Sequence, residues 1–170
     1  KVKQRGGHFG TGNLLREEEF ELTTYAILGD NLNISAKTPP HDLIINTIAD
    51  PDLELASLEA LERYRVAHMA TPVINTPSAV ALCARELNHQ RFAHLEDLLF
   101  PRTLRFSREA RSAEELTAAV SGMGFDFPMI VRAAGMHTGR GCCLASSPED
   151  IHAFFSTMKN EEFYAIDYVK

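Results

Sequence analysis

Between Phe127 and Ala145 a strand-forming run, a loop holding three glycines and a second strand-forming run follow one another directly. Pro128-Met129-Ile130-Val131-Arg132 reads as a strand, and Cys142-Cys143-Leu144-Ala145 reads as a short partner. Such a segment folds as a hairpin, with Ala133–Gly141 as a mobile connection. Its flanks agree. Ser112-Ala113-Glu114-Glu115 has capping-box spacing ahead of Leu116, Ala119 and Val120, and Gly122 and Gly124 lie just beyond that helix. Ser147-Pro148-Glu149-Asp150 opens another helix, whose Ile151, Phe154, Phe155 and Met158 share a core-facing stripe. Phe163–Val169 then closes the chain as a strand. The second part of the chain is therefore an α+β unit.

The first hundred residues alternate strand and helix. Gly6-Gly7-His8-Phe9-Gly10-Thr11-Gly12-Asn13 is a glycine-rich loop with no strand before it, which suggests that the chain begins inside a domain. Phe20–Leu28 reads as a strand ended by Gly29-Asp30-Asn31. Asp42–Ile48 is a second, almost continuously apolar strand of the kind found in parallel sheets. Asp50-Pro51 opens a helix with a broad stripe of Leu53, Ala56, Ala60, Tyr64 and Leu55, Leu58, Leu61. Pro72–Asn75 is a short third strand. Thr76-Pro77 starts a helix running into Val80, Leu82, Cys83 and Leu87. The pattern changes at Phe100-Pro101-Arg102-Thr103, where a linker or inter-lobe strand fits, and Arg102, Arg105, Arg108 and Arg111 make a basic stretch.

Composition excludes several partners. With 170 residues, 45% hydrophobic and 24% charged, the chain has enough apolar surface for one good core or two small ones. The formal charge of −6 disfavours nucleic acid. No apolar run is long enough to span a membrane and no signal core follows Lys1–Arg5, so a cytoplasmic protein is expected. Cys83, Cys142 and Cys143 lack the spacing of a zinc site or disulfide framework and read as buried, reduced thiols. His8, His41, His68, His89, His94 and His152 show no metal-ligand pattern.

The chemistry lies in the hairpin. Arg132 places a cation at a strand end, and the loop adds Gly135, His137, Thr138, Gly139, a second cation in Arg140, and Gly141. Glycines let several backbone N–H groups turn toward one anion, and guanidinium groups supply full charge, which is what a phosphate chain needs. The P-loop pattern is absent, so the expected device is a hairpin lid. An ordinary surface hairpin, with Arg132 in an ion pair, is the competing reading.

The Pro128–Arg132 strand, the Gly-Arg-Gly loop, the Ser147–Asp150 helix start and the closing strand Tyr164-Ala165-Ile166-Asp167-Tyr168-Val169 together resemble the ATP-grasp superfamily. Pro72–Pro77, Arg85 and Pro101-Arg102-Thr103 are similar to that family's passage between domains. The narrower resemblance is to bacterial ATP-grasp segments associated with tetratricopeptide-repeat proteins. It implies an α/β fold with an incomplete Rossmann-like pre-ATP-grasp domain over residues 1–103 and an α+β N-terminal lobe of the ATP-grasp domain over 104–170, ending at the hinge.

By position, the resemblance assigns Arg132 to the α and β phosphates, where the family more often has Lys. It assigns Arg85 to a second basic contact, with Arg91 as a rival. Gly135, His137, Thr138, Gly139, Arg140 and Gly141 fall on the lid, and Asp167, Tyr168 and Val169 on the hinge that meets adenine. ATP is the implied cofactor. Magnesium ligands are expected beyond residue 170, so the chain alone is expected to catalyse nothing. The parent is then an ATP-dependent ligase joining a carboxylate to an amine or thiol, with a nucleotide and a carboxylate as partners and neighbouring domains in the longer protein. The alternatives are a non-catalytic nucleotide- or protein-binding module, and small-molecule binding at the Gly6–Gly12 loop.

Overall fold

A computed structural model of the chain describes residues 15–16, 18–27 and 38–170. The Gly6–Asn13 loop, Leu28 and Gly29-Asp30-Asn31 lie outside the described residues. The chain divides into two compact units, Lys1–Ala84 and Arg85–Lys170.

In the first unit, β1 (Ile44–Ile45) pairs with β2 (Val73–Ile74) in parallel, as the apolar run suggested. Asn46 extends the pairing with its side chain: Nδ2 donates to the Asn75 carbonyl at 2.9 Å, and the Asn75 amide returns a bond to the Asn46 carbonyl at 3.3 Å. That exchange satisfies a buried amide at a strand end.

The connecting helix, α1 (Leu55–Ala67), starts later than Asp50-Pro51 implies. Asp50 Oδ1 accepts from the N–H groups of Asp52 and Leu53, which holds residues 50–53 in a turn before the helix begins. The apolar stripe is also narrower than expected. Leu58, Ala60, Leu61 and Tyr64 are buried together with Ser57, but Leu53, Leu55 and Ala56 are exposed. Residues 20–27 form no strand, contrary to the reading of Phe20–Leu28. Phe20, Leu22 and Tyr25 are exposed there, and β-formers without a partner strand gain nothing from extension. The helix after Thr76 is α2 (Pro77–Ala81), which stops short, and the chain resumes as α3 (Arg85–Phe92).

The second unit holds a four-stranded antiparallel sheet in the order β3-β6-β4-β5. Its strands are β3 (Thr103–Ser107), β4 (Met129–Ala133), β5 (Cys142–Ala145) and β6 (Glu162–Asp167). The strand expected near Thr103 is thus an edge of this sheet. Helices α4 (Ala113–Ser121) and α5 (Pro148–Thr157) cover one face.

Both helix starts follow from the local sequence. Ser112 Oγ accepts from Glu115 N–H and the Glu115 carboxylate accepts from Ser112 N–H, a reciprocal cap. Asp150 accepts from the N–H groups of Ser146 and Ser147. Leu116 and Val120 from α4 and Ile151, Phe154 and Phe155 from α5 meet Met129, Val131, Ala133, Ala145, Phe163 and Ala165 from the sheet. Strand alternation puts these sheet residues on one side, so Ile130 and Arg132 of β4 and Tyr164 and Ile166 of β6 occupy the other.

The basic stretch is built into this unit rather than forming a linker. Arg102 Nη2 donates to the Gly124 carbonyl at 2.6 Å, lies 3.4 Å from Asp167 Oδ1, and its guanidinium sits over the Phe125 ring. Arg105 pairs with Glu162 at 3.0 Å and with Glu86 at 3.8 Å. Arg108 donates to the carbonyls of Phe155, Met158 and Asn160, where the C-terminal end of α5 attracts a cation. Arg111 donates to the carbonyls of Ser107 and Arg108.

Candidate functional site

The face of the sheet opposite α4 and α5 is the candidate site. Ile130 and Arg132 from β4, Cys142 and Leu144 from β5, and Tyr164 and Ile166 from β6 share it by register. Toward β3 this face is occupied. Arg105 stands over the Tyr164 ring, 5.8 Å from its centroid, and Glu86 of α3 pairs with that same guanidinium. Toward β5 it is accessible, with Cys142 exposed and Leu144 at 52%. An apolar platform beside a cation is thereby presented to solvent. Sequence reading missed Ile130, Leu144, Tyr164 and Ile166 as site residues, although the alternation along Met129–Ala133 carried the signal.

The hairpin loop stands at one end of this face. Arg132, partly buried, donates through Nη2 to the Met136 carbonyl, so the guanidinium and the loop root are brought together. Ala133 N–H donates to the Gly141 carbonyl at 2.8 Å and Ala134 N–H to the Glu162 carbonyl at 2.8 Å, which fixes the two feet of the loop. At the tip, Arg140 N–H donates to the His137 carbonyl, and Thr138, Gly139 and Arg140 are exposed. Gly135, Thr138, Gly139 and Gly141 all have positive φ, between 58° and 76°. At Gly141 a Cβ would also crowd Met136 Sδ and the Ala133 Cβ, so a side chain there would have to displace the methionine.

Asp167, Tyr168 and Val169 lie at the other end. Asp167 is opposite Met129 and Arg132 is opposite Tyr164, so three strand residues, about 10 Å, separate the two ends. The Asp167 side chain falls on the helix-covered side by alternation and meets Arg102 there, while Tyr168 and Val169 are exposed. Arg85 and Arg91 are exposed on α3, which lies by β3, the edge of the sheet farthest from β5. The structure thus joins Arg132 to the loop, sets Asp167–Val169 at the far end of the same strands, and leaves Arg85 across the sheet.

The thiols are not buried as the sequence suggested: Cys83 and Cys142 are exposed, and only Cys143, on the helix-covered side of β5, is partly buried. Burial foremost, then the Asp150 carboxylate and Cys142, push the Cys143 thiol above its ordinary value of 9.0, which disfavours the nucleophilic thiolate. Among the described residues, no group of three or more His, Cys, Asp or Glu side chains could hold a metal ion, and no helix is long and apolar enough to cross a membrane.

No family model matches the chain, and no curated protein matches it. Solved structures do. D-alanyl-alanine synthetase A from Vibrio cholerae is similar over 81% of this chain and 40% of its own, with 15% identity and a TM-score of 0.50. Carboxyaminoimidazole ribonucleotide synthase from Aspergillus clavatus, solved with ATP, is similar over 75% of this chain and 31% of its own, with 16% identity and a TM-score of 0.50. The likeness bears out the α/β fold class expected from the sequence. At these identities it shows fold alone. The chain spans less than half the length of either structure.

Proposed function

We propose that the chain is the ATP-binding part of an ATP-grasp protein whose parent joins a carboxylate to an amine or thiol. One observation carries this reading: a cation and a glycine-rich hairpin stand at one end of an accessible apolar sheet face, and a strand end stands about 10 Å away at the other. That separation suits a purine edge at one end and the middle of its triphosphate chain at the other. The residues fit such a ligand, because Ile130, Leu144 and Ile166 give the base an apolar bed, while Arg132 and the lid amides offer donors to phosphate oxygens.

When bound, ATP supplies the phosphoryl group that converts a carboxylate into an acyl phosphate, from which the amine or thiol displaces phosphate. Arg132 would hold the α and β phosphates, with Arg85 a second contact. Gly135, His137, Thr138, Gly139, Arg140 and Gly141 would close over the chain and exclude water. Backbone groups of Asp167, Tyr168 and Val169 would meet the adenine edge. Alignment and neutralisation of phosphoryl charge are the contributions such residues make to transfer. In this reading residues 1–103 are the substrate-side domain and 104–170 the lobe. Magnesium would be held by residues outside this chain, and no step here is derived through it. A cytoplasmic location and an association with tetratricopeptide repeats rest on the sequence alone.

Calorimetric titration of the intact protein with ADP and magnesium tests the reading. Saturable binding at one site is expected, and no heat at millimolar ADP would refute it. A non-catalytic nucleotide- or protein-binding module is the alternative. Phosphate release that depends on both a carboxylate and an amine or thiol separates the two.

A further inference from the structure

The loop has a fixed root and a freer tip, and one side chain joins them. Arg132 donates to the Met136 carbonyl, and the Met136 side chain packs against the core cluster. Met136 Sδ occupies the space that a Cβ on Gly141 would need, and Ala133 closes the root through its bond to Gly141. Residues 133, 136 and 141 thus form a closed base. By contrast, a Cβ on Gly139 would meet no atom within 4 Å, and Thr138 and Arg140 are exposed.

We infer that Arg132 is a positioning residue for the loop as well as its phosphate contact, so that a single guanidinium ties phosphate occupancy to the shape of Met136–Gly141. This rests on the nucleotide reading above. The chemistry that allows it is the guanidinium plane. Five N–H donors project from a rigid fork, so one edge can keep a carbonyl while another meets phosphate oxygens, in a geometry fixed between them. An ammonium group carries equal charge on a flexible stem, with no plane to relate two acceptors. Phosphate that engages Arg132 therefore also fixes the orientation of the bond to Met136, and the tip residues 137–140 are ordered over the ligand. In a site where charge alone mattered, lysine would serve as well.

Hydrogen exchange of the loop peptide 133–141 in the intact protein, with ADP and magnesium as the probe, tests this against Arg132→Lys. Without ligand, the lysine variant should exchange about threefold or more faster across the loop than the wild type, because the clamp on Met136 is gone. At ADP levels that saturate each protein by its own titration, the wild-type loop should slow about tenfold and the variant loop less than about threefold. The variant should still bind, with affinity reduced by no more than about tenfold, since charge is retained.

Equal ligand-free exchange in the two proteins overturns the inference. So does a saturated variant loop as slow as the wild type, or a variant that binds no ADP at millimolar concentration. Melting curves confirm that the variant is folded. If the wild type itself binds no ADP, the nucleotide reading fails with the coupling, while the ligand-free comparison still reports on the clamp.

Discussion

Replacing Arg132 by alanine is expected to raise the dissociation constant for ADP by about two orders of magnitude while the melting temperature hardly moves. Hydrogen bonds to charged groups contribute about 1.5–3 kcal/mol each, and about 1.4 kcal/mol corresponds to tenfold in affinity. Stability should be spared because Arg132 is partly exposed on the accessible face, whereas the core of this unit lies on the other face among Met129, Val131 and Ala133. Its bond to Met136 ends on a loop carbonyl that water can serve in its place. Titration calorimetry beside a thermal melt checks both halves. A large fall in melting temperature would show Arg132 to be structural, and unchanged affinity would remove it from the phosphates.

Phe163→Ala is expected to cost about 3–5 kcal/mol of folding stability, read from a urea transition at unchanged m. Phe163 is fully buried on β6, an inner strand, where it lies opposite Ala133 on one side and Phe106 on the other. Its ring stacks on Phe106 at 5.8 Å and meets Phe155 edge-on at 5.1 Å and Phe154 at 6.2 Å. Truncation opens a cavity where three elements converge, and close-packed surroundings relax only partly into it. Typical domains have about 5–15 kcal/mol in hand, so this one change approaches the limit. Ala133 is also a foot of the loop, so the variant's loop amides should exchange faster as well. A loss below about 1 kcal/mol would mean that the α5–sheet packing described here is wrong.

The second unit was legible because its signals are local. The Ser112/Glu115 cap, the Ser147-Pro148 start, the Pro128–Arg132 run and the closing strand each announce themselves within a few residues, and each element stands within two residues of its expected bounds, the closing strand ending at Asp167 rather than Val169. What could not be read is non-local. Nothing near Thr103 says that it will pair with Ile166, and that register decides which side chains share the accessible face. The arginines at 102, 105, 108 and 111 looked like a basic linker for the same reason. Asp167, Glu162 and the carbonyls ending α5 lie some fifty or more residues from the arginines they meet, Gly124 and Glu86 about twenty, and only the partners of Arg111 are beside it.

The first unit gave more misreadings because propensity was asked to stand in for partners. Phe20–Leu28 has β-forming residues and, over 20–27, no strand to pair with. The helix after Thr76 breaks over Leu82-Cys83-Ala84 although no glycine or proline marks the place. Of the candidate site, Arg132 and the glycine-rich loop were visible as a cation beside glycines. Their joining through Met136, and the distance of Arg85 across the sheet, needed coordinates.

The most direct measurement is a structure of the intact protein with ADP and magnesium bound. The account predicts phosphate oxygens within hydrogen-bond distance of Arg132 and of the 135–141 amides, with the base on Ile130, Leu144 and Ile166 and its edge at Asp167–Val169. A nucleotide bound away from this sheet face, with the hairpin unchanged and Arg132 engaged only with Met136, would contradict it.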